Sequence, residues 1–291
     1  MCRSSPRAYA FPWRTLVVNP TDVPAAGGAQ HEKSDLVASL CEQVNDPDDL
    51  VAYEALRALR ESVTDDRPQR DLARRVVARA LPRQQLTKAA ARTLGNIGDC
   101  RDVPALEQLL VHEHRGVRVA AAQALGCMVC PDAVLALRRA LDDHDGDVRR
   151  HAVVSLGRLG DAAAVPWLVA ALSDVEEGVR WRAAMGLGRM GDAAAVAALV
   201  ACIDAGDEEL AWRSRRALAA IGAAAVPSLI DVIGDFGDKR RWRAATILGD
   251  IGDGRARSPL VYAMDSDDER LRKAAAEALS ALDKSFARRD R

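Results

Sequence analysis

Val179-Arg180-Trp181-Arg182-Ala183-Ala184-Met185-Gly186-Leu187-Gly188-Arg189-Met190-Gly191-Asp192 is one copy of a pattern that recurs along the whole chain. Copies begin at Leu86, Val117, Val148, Val179, Leu210, Arg240 and Leu271, offset by 31, 31, 31, 31, 30 and 31 residues. A degenerate copy at Val51–Leu59 precedes them, followed by an insertion around Thr64 to Asp71, which makes eight. Self-similarity at this period is the signature of a stacked repeat architecture, in which each unit buries its apolar stripe only against its neighbours.

Each copy reads as a helix. With its first residue numbered 1 and about 100° of rotation per residue, positions 1, 5, 6, 8, 9 and 12 share one arc and are nearly always Val, Ala, Leu, Ile or Gly. Positions 3, 4, 7 and 11 lie on the opposite face. A Gly-Asp or Gly-Ala break follows (Gly98-Asp99, Gly160-Asp161, Gly191-Asp192, Gly222-Ala223, Gly252-Asp253), where glycine supplies the positive φ of a helix C-cap. A second helix comes next, as in Val165–Leu172 with Pro166 in its first turn, where the missing N–H costs nothing. Acidic turns such as Asp142–Asp147 and Ser173–Glu177 close the units, at the point where N-capping and the helix dipole favour carboxylates. They lack the twelve-residue ligand pattern of a calcium loop.

This VRxxAAxALGxIGD signature resembles the HEAT-like repeats typified by the phycobilin lyases, over residues 34 to 291. The resemblance implies an all-α fold, an α-solenoid of about eight helix pairs, with the recurrent helix on the concave side and its partner on the convex side. It says little about function, because such arrays serve scaffolds, lyases, hydroxylases and DNA glycosylases alike. Residues 1–32 are read as a disordered N-terminal arm, 33–85 as a degenerate capping repeat with a helix at Ser34–Val44, and 86–291 as the regular repeats. Ala274 to Ala287 would be the half-repeat that closes the stack.

Composition agrees with this class. Of 291 residues, 49% are hydrophobic and only 4% aromatic, the balance of Ala- and Leu-rich helices rather than of a β-sandwich. No apolar run approaches the roughly 18 residues of a membrane span. Arg3, Arg7 and Arg14 precede any acid, but Pro6, Pro12 and Trp13 interrupt the apolar core a secretory signal needs. Six irregularly spaced cysteines indicate reduced thiols, and the expectation is a cytoplasmic protein.

With a net charge of −1, any electrostatic function must come from how the charges are arranged. Position 3 reads Tyr53, Lys88, Val119, Arg150, Trp181, Trp212, Trp242, Lys273, and position 4 reads Glu54, Ala89, Ala120, His151, Arg182, Arg213, Arg243, Ala274. Positions 7 and 11 add Arg216, Arg158 and Arg189. Stacking the repeats turns these into columns, so repeats four to seven present alternating Trp and Arg. Such a face suits an acidic or extended segment, since Trp offers an apolar platform and Arg a bidentate fork. The candidate binding residues are Arg150, Arg158, Trp181, Arg182, Arg189, Trp212, Arg213, Arg216, Trp242 and Arg243. The competing structural reading is that each Trp packs against the next repeat's Arg as inter-repeat glue. The position-2 arginines Arg118, Arg149, Arg180, Arg241 and Arg272 recur regardless, and with the Asp of the Gly-Asp break they resemble the Arg/Asp ladder of HEAT arrays. Ala211 and Ala223 replace both partners in repeat six and mark a local weak point.

Catalytic chemistry is not evident. Cys127 and Cys130 form a CxxC with Cys100 one repeat earlier, but no second pair completes a zinc set. Deoxyhypusine hydroxylases hold iron with His-Glu pairs at positions 3 and 4 of similar repeats, where this chain has Tyr53-Glu54 and Arg150-His151. No P-loop, nucleophile elbow or HExxH is present. No catalytic residue, metal or cofactor is therefore assigned. The leading expectation is a non-catalytic scaffold for a protein with an acidic segment. The alternatives are a nucleic-acid-binding protein, since basic residues interleaved with Trp also resemble single-strand stacking platforms, and a bilin-lyase-like helper enzyme.

Overall fold

The structure is a computed structural model that describes residues 26–62, 67–204 and 206–289. Among them are sixteen α-helices and no strand, arranged as eight consecutive pairs. In chain order the pairs are α1 (Ala26–Val44) with α2 (Asp49–Ser62), α3 (Arg67–Ala80) with α4 (Thr87–Ile97), α5 (Val103–Leu109) with α6 (Arg115–Leu125), and α7 (Pro131–Ala140) with α8 (Gly146–Leu159). They continue with α9 (Val165–Ala171) and α10 (Glu177–Met190), α11 (Val196–Cys202) and α12 (Glu208–Ile221), α13 (Val226–Gly234) and α14 (Arg241–Ile251), and α15 (Arg257–Ala263) and α16 (Glu269–Arg289).

The even-numbered helices are the eight recurrent copies, and each lies against the next along the stack. From α3 onward the odd-numbered helices barely meet one another. A stack that is tight on one side and splayed on the other bends toward the tight side, so the even helices line the concave face. The apolar register explains the packing. Position 9 is Leu59, Leu94, Leu125, Leu156, Leu187, Leu218 and Leu248, each 0% exposed. Burying each such side chain stabilises the stack by about 1.5–3 kcal/mol.

Close approach of the even helices depends on position 10. A Cβ added to Gly95 would lie 2.8 Å from Ala124 Cα, on Gly157 2.8 Å from Gly186 Cα, on Gly188 2.7 Å from Ala217 Cα, and on Gly249 2.7 Å from Ala278 Cα. Glycine at position 10 thus seats the small position-8 residue of the following repeat. Gly126 meets Ser155 in the same way, and the Ser155 hydroxyl donates to the Ala122 carbonyl at 2.9 Å.

Gly160, Gly191 and Gly252 cap α8, α10 and α14 at φ near 70°, as the breaks require. Gly98 departs from this: at φ −73° and ψ 173° it is extended, and Asp99 runs straight into a capped 3-10 turn. Asp161, Asp192 and Asp253 likewise cap 3-10 turns ahead of the odd helices. These aspartates are therefore not the partners of the position-2 arginines. Arg118 pairs with Asp143 at 2.7 Å, Arg149 with Asp174 at 2.8 Å and Arg180 with Asp207 at 2.7 Å. Each partner sits in the acidic turn of the next repeat. The same guanidinium donates to a carbonyl of its own turn, His112, Asp143 and Asp174 respectively, so one side chain ties two turns together. Arg241 and Arg272 reach only their own turns, at Ile233 and Ser266.

Most of the arm expected over residues 1–32 lies outside the described residues; α1 begins at Ala26 and contains the helix expected at Ser34–Val44. The segment around Thr64 to Asp71, read as an insertion, runs into α3, the outer helix of the second pair. The closing half-repeat is part of α16. No single helix among the described residues is long and apolar enough to cross a membrane.

Candidate functional site

The Trp/Arg columns lie on the concave face, and the structure divides them into side chains that hold repeats together and side chains that do not. Trp181 donates its Nε1–H to Asp207 at 3.3 Å, joining the α10 rung of the ladder. Arg213 spans two repeats, with its guanidinium 5.7 Å from the ring centres of both Trp181 and Trp212, its Nη1 2.7 Å from Met185 Sδ, and Glu209 as its ion-pair partner. Arg158 donates to the Gly126 carbonyl at 3.1 Å and lies 2.9 Å from Cys127 Sγ. Arg150 pairs locally with Asp147 at 2.6 Å. Arg243 is held by Asp204 and covers Trp242 at 4.5 Å.

Arg182, Arg189 and Arg216 are different. They are exposed, and none has a carboxylate within ion-pair distance among the described residues. Arg216 stacks at 5.0 Å on Trp212, which is itself 45% exposed. Nearby, burial and then the charges of Arg150 and Arg182 depress the pKa of His151, and Arg92 adds to the effect. Asp147 opposes this in part, and the imidazole is neutral at pH 7.

Between α12 and α14 the face opens into a cleft of about 180 Å³. Ala211, Ile203 and Ile247 are on its walls, with Trp212 and Trp242 on opposite helices and Arg215 and Arg243 beside them. The opening has a physical cause. Position 10 of α12 is Ala219 rather than Gly, and position 8 of α14 is the bulky, fully buried Ile247. The small-on-small contact of the other seams cannot form. Position 2 is Ala211, so no rung reaches Asp238; that carboxylate is taken by Arg240 at 2.5 Å. Arg240 also reaches back to the Val200 carbonyl at 3.2 Å, a clamp running opposite to the ladder.

The weak point expected at Ala211 is therefore a seam with a cleft, while Ala223 plays no part in the ladder. Asp250, close in sequence to Trp242, pairs with Arg215 at 3.4 Å. The CxxC does not act as a unit: Cys127 faces Arg158, whereas Cys130 interacts with Cys100. The neighbouring Cys130, with some burial, pushes the Cys100 thiol up to about 11.

A second opening was missed from the sequence. Tyr53, Arg57, Arg60, Gln85, Lys88 and Arg92 surround a pocket of about 320 Å³ between α2 and α4. Its setting is similar in two of the three positions, although Thr93 keeps a 3.0 Å bond to the Leu56 carbonyl across the seam. Arg60 occupies position 10, Thr93 is at position 8 of the next copy, and Ala52 stands at position 2. Arg83 clamps backward to the Val44 carbonyl at 3.1 Å, as Arg240 does to Val200.

Stacked helix pairs with a continuous core and a lined concave face define an α-solenoid repeat scaffold. A family model described as HEAT repeats matches residues 37–126, 103–179, 165–242 and 226–288, and the chain belongs to the HEAT-repeat family. No curated protein matches the sequence. Among solved structures, one engineered protein is 24% identical, covering 85% of this chain and 78% of that one at a TM-score of 0.46. Human deoxyhypusine hydroxylase, solved with glycerol, is 21% identical, covering 88% and 99% at a TM-score of 0.39. A second engineered protein is 21% identical, covering 85% and 96% at 0.37.

Proposed function

We propose that this chain is a non-catalytic scaffold that holds an acidic, extended segment of a protein partner along its concave face, with one apolar side chain of that segment seated between Trp212 and Trp242. The observation that carries this reading is the α12–α14 cleft. Its walls are mostly apolar and its rim bears two indoles, with Thr246 and the carboxylate-bearing Glu208 also lining it. Arg216 stacks on Trp212 and, like Arg182 and Arg189 on α10, has no carboxylate of its own, while Arg215 and Arg243 at the cleft itself are held by Asp250 and Asp204. An apolar anchor flanked by indoles and arginines matches the usual anatomy of a binding hot spot, in which Trp and Arg dominate. Arg213, Arg158 and Trp181 act mainly as inter-repeat glue, so the ligand-facing set is smaller than the columns suggest.

The test is tryptophan fluorescence titrated with peptides of alternating Glu and Leu, alongside their Lys-for-Glu counterparts. Binding of the acidic peptide, weakened at least tenfold by Trp212→Ala with Arg216→Glu, is the expected result. The alternating Trp and Arg also favour a second reading, single-stranded nucleic acid stacked on the indoles. Tighter binding of an oligonucleotide than of the acidic peptide, with a steep salt dependence, would select that reading instead.

A further inference from the structure

The α2–α4 pocket at the other end of the groove has a chemistry the Trp cleft lacks. Four cations, Arg57, Arg60, Lys88 and Arg92, line one opening of about 320 Å³, together with the Tyr53 hydroxyl and the Gln85 amide. Only Arg57 has an ion-pair partner, Glu54 on its own helix at 3.7 Å, and both side chains are more than half exposed. Arg60, Lys88 and Arg92 have no carboxylate within ion-pair distance among the described residues. By contrast, Arg118, Arg149 and Arg180 of the ladder, Arg74 and Arg243 all have carboxylates in hand.

Arg60 is the least expected of these residues. In five of the other repeats position 10 is glycine, because a side chain there strikes the next helix. Here the arginine is exposed and places a guanidinium at the pocket, while Thr93 still bonds the Leu56 carbonyl across the seam at 3.0 Å. Like charges grouped without partners repel one another, and an anion of matching charge density relieves the repulsion.

We propose that this pocket binds a phosphoryl group carried on a side chain of a protein ligand. A carboxylate offers two oxygens and one negative charge, enough for a single arginine fork. A phosphomonoester carries close to two charges at pH 7 and three acceptor oxygens, which suits two arginines on successive helices, a lysine acting as a point charge, and neutral donors from tyrosine and glutamine. The pocket is polar and open to the groove, so the group can arrive on a chain rather than as a free ion. This site is five helix pairs away from the Trp cleft and does not depend on the function assigned to that cleft.

Fluorescence anisotropy of a labelled Ala/Gly peptide carrying two phosphoserines tests this on the full chain, against the same peptide with serine and with glutamate at those positions. The phosphopeptide should bind at least tenfold tighter than either control. Arg60→Gly should remove that preference, and so should Arg92→Gln. Arg60→Gly introduces the residue found in five other repeats near the end of α2 and should cost only the small helix-propensity loss of glycine; a thermal melt checks this, and Arg92→Gln provides a second, exposed variant. Equal binding of all three peptides, or a preference that survives both substitutions, would overturn the assignment. Inorganic phosphate and tripolyphosphate form the remaining arm. If they bind in an Arg60-dependent way while the phosphopeptide does not, the ligand is a free anion and the protein-borne assignment is wrong.

Discussion

The seams from α6 to α12 and the two seams at α2–α4 and α12–α14 are built from the same repeat and end up with opposite properties. In the closed seams, position 10 is glycine, position 8 of the next repeat is small, and a position-2 arginine ties its own turn to the following acidic turn. In the open seams positions 2 and 10 change together, to Ala52 and Ala211 and to Arg60 and Ala219; opposite them, Ile247 is bulky, whereas Thr93 bonds the Leu56 carbonyl much as Ser155 bonds that of Ala122. A backward clamp from Arg83 or Arg240 holds the turns in place of the rung. Both pockets of the concave face described above lie at these seams. In a solenoid, regularity produces a stack, and openings appear where regularity is given up.

The largest effect should come from forcing a closed seam open. At Gly188 even a Cβ would lie 2.7 Å from the Ala217 backbone, which cannot move aside as a side-chain end can. Gly188→Val should cost about 3 kcal/mol or more, at the upper end of overpacking penalties. The equivalent Ala219→Val at the open seam should cost less than about 1 kcal/mol. Urea midpoints of the two variants measure the difference, and equal losses would mean that position 10 does not set the spacing.

Next in size are the rungs. Arg149 and Asp174 are 12% and 13% exposed, and cutting one partner of a buried pair costs up to about 3–5 kcal/mol. Partial exposure lowers the expectation for Asp174→Ala to about 2–3 kcal/mol. The pH dependence follows in sign. Burial raises the pKa of Asp174, but the Arg149 hydrogen bond, the Glu176 amide and neighbouring arginines outweigh it and hold the group below its ordinary value. Its contribution is therefore complete above the unfolded value of about 3.9 and is lost as pH falls through the folded value. Asp99, held at about 2 chiefly by Arg101, loses its share between about pH 4 and 2. Stability measured from pH 6 to 2 should fall more shallowly for Asp174→Asn than for the wild type.

Smaller still is a split between two tryptophans that share a column. Trp181 is half-buried and bonded to Asp207, whereas Trp212 is 45% exposed and bonded through its ring to arginines alone. Trp181→Ala should cost about 2 kcal/mol of stability, and Trp212→Ala less than about 1 kcal/mol. Trp212→Ala should nonetheless weaken the acidic peptide at least tenfold, about 1.4 kcal/mol of binding. Equal losses of stability for the two would return the whole column to glue.

The repeat, its eight copies and the buried stripe were legible because they depend on spacing within one helix. The Gly-Asp corners and acidic turns were legible for the same reason, as local caps. The ladder was half legible: the arginines recur visibly, but their partners were sought in the nearest aspartates, and the geometry takes each arginine forward to Asp143, Asp174 or Asp207. The same 31-residue spacing from Asp143 to Asp174 was the signal that could have corrected this. The site was less legible than the fold. Whether an arginine in a column is free or spent depends on what the adjacent repeat offers it, so Arg213 and Arg182 look alike in sequence and differ in space. The position-10 column, with Arg60 and Ala219 among five glycines, pointed to both openings.

The smallest expected effect separates the two causes of the open seam. Ala211→Arg restores the position-2 arginine while leaving Ala219 against Ile247. Asp238 is already held by Arg240, but a carboxylate has lone pairs for a second guanidinium, so the new rung can share it with the clamp. Because Arg240 already satisfies this carboxylate, the gain should be no more than about 1 kcal/mol. Ala211 also lines the cleft, so the added side chain would cross part of its wall and lower the affinity for the acidic peptide several-fold. A gain in stability with peptide binding unchanged would mean that the rung and the cleft are independent, and that the Ala219–Ile247 contact alone keeps the seam open. A loss of stability would mean that the backward clamp from Arg240 to Val200 is itself the preferred way to close this turn, and that the arginine was given up to make room for it.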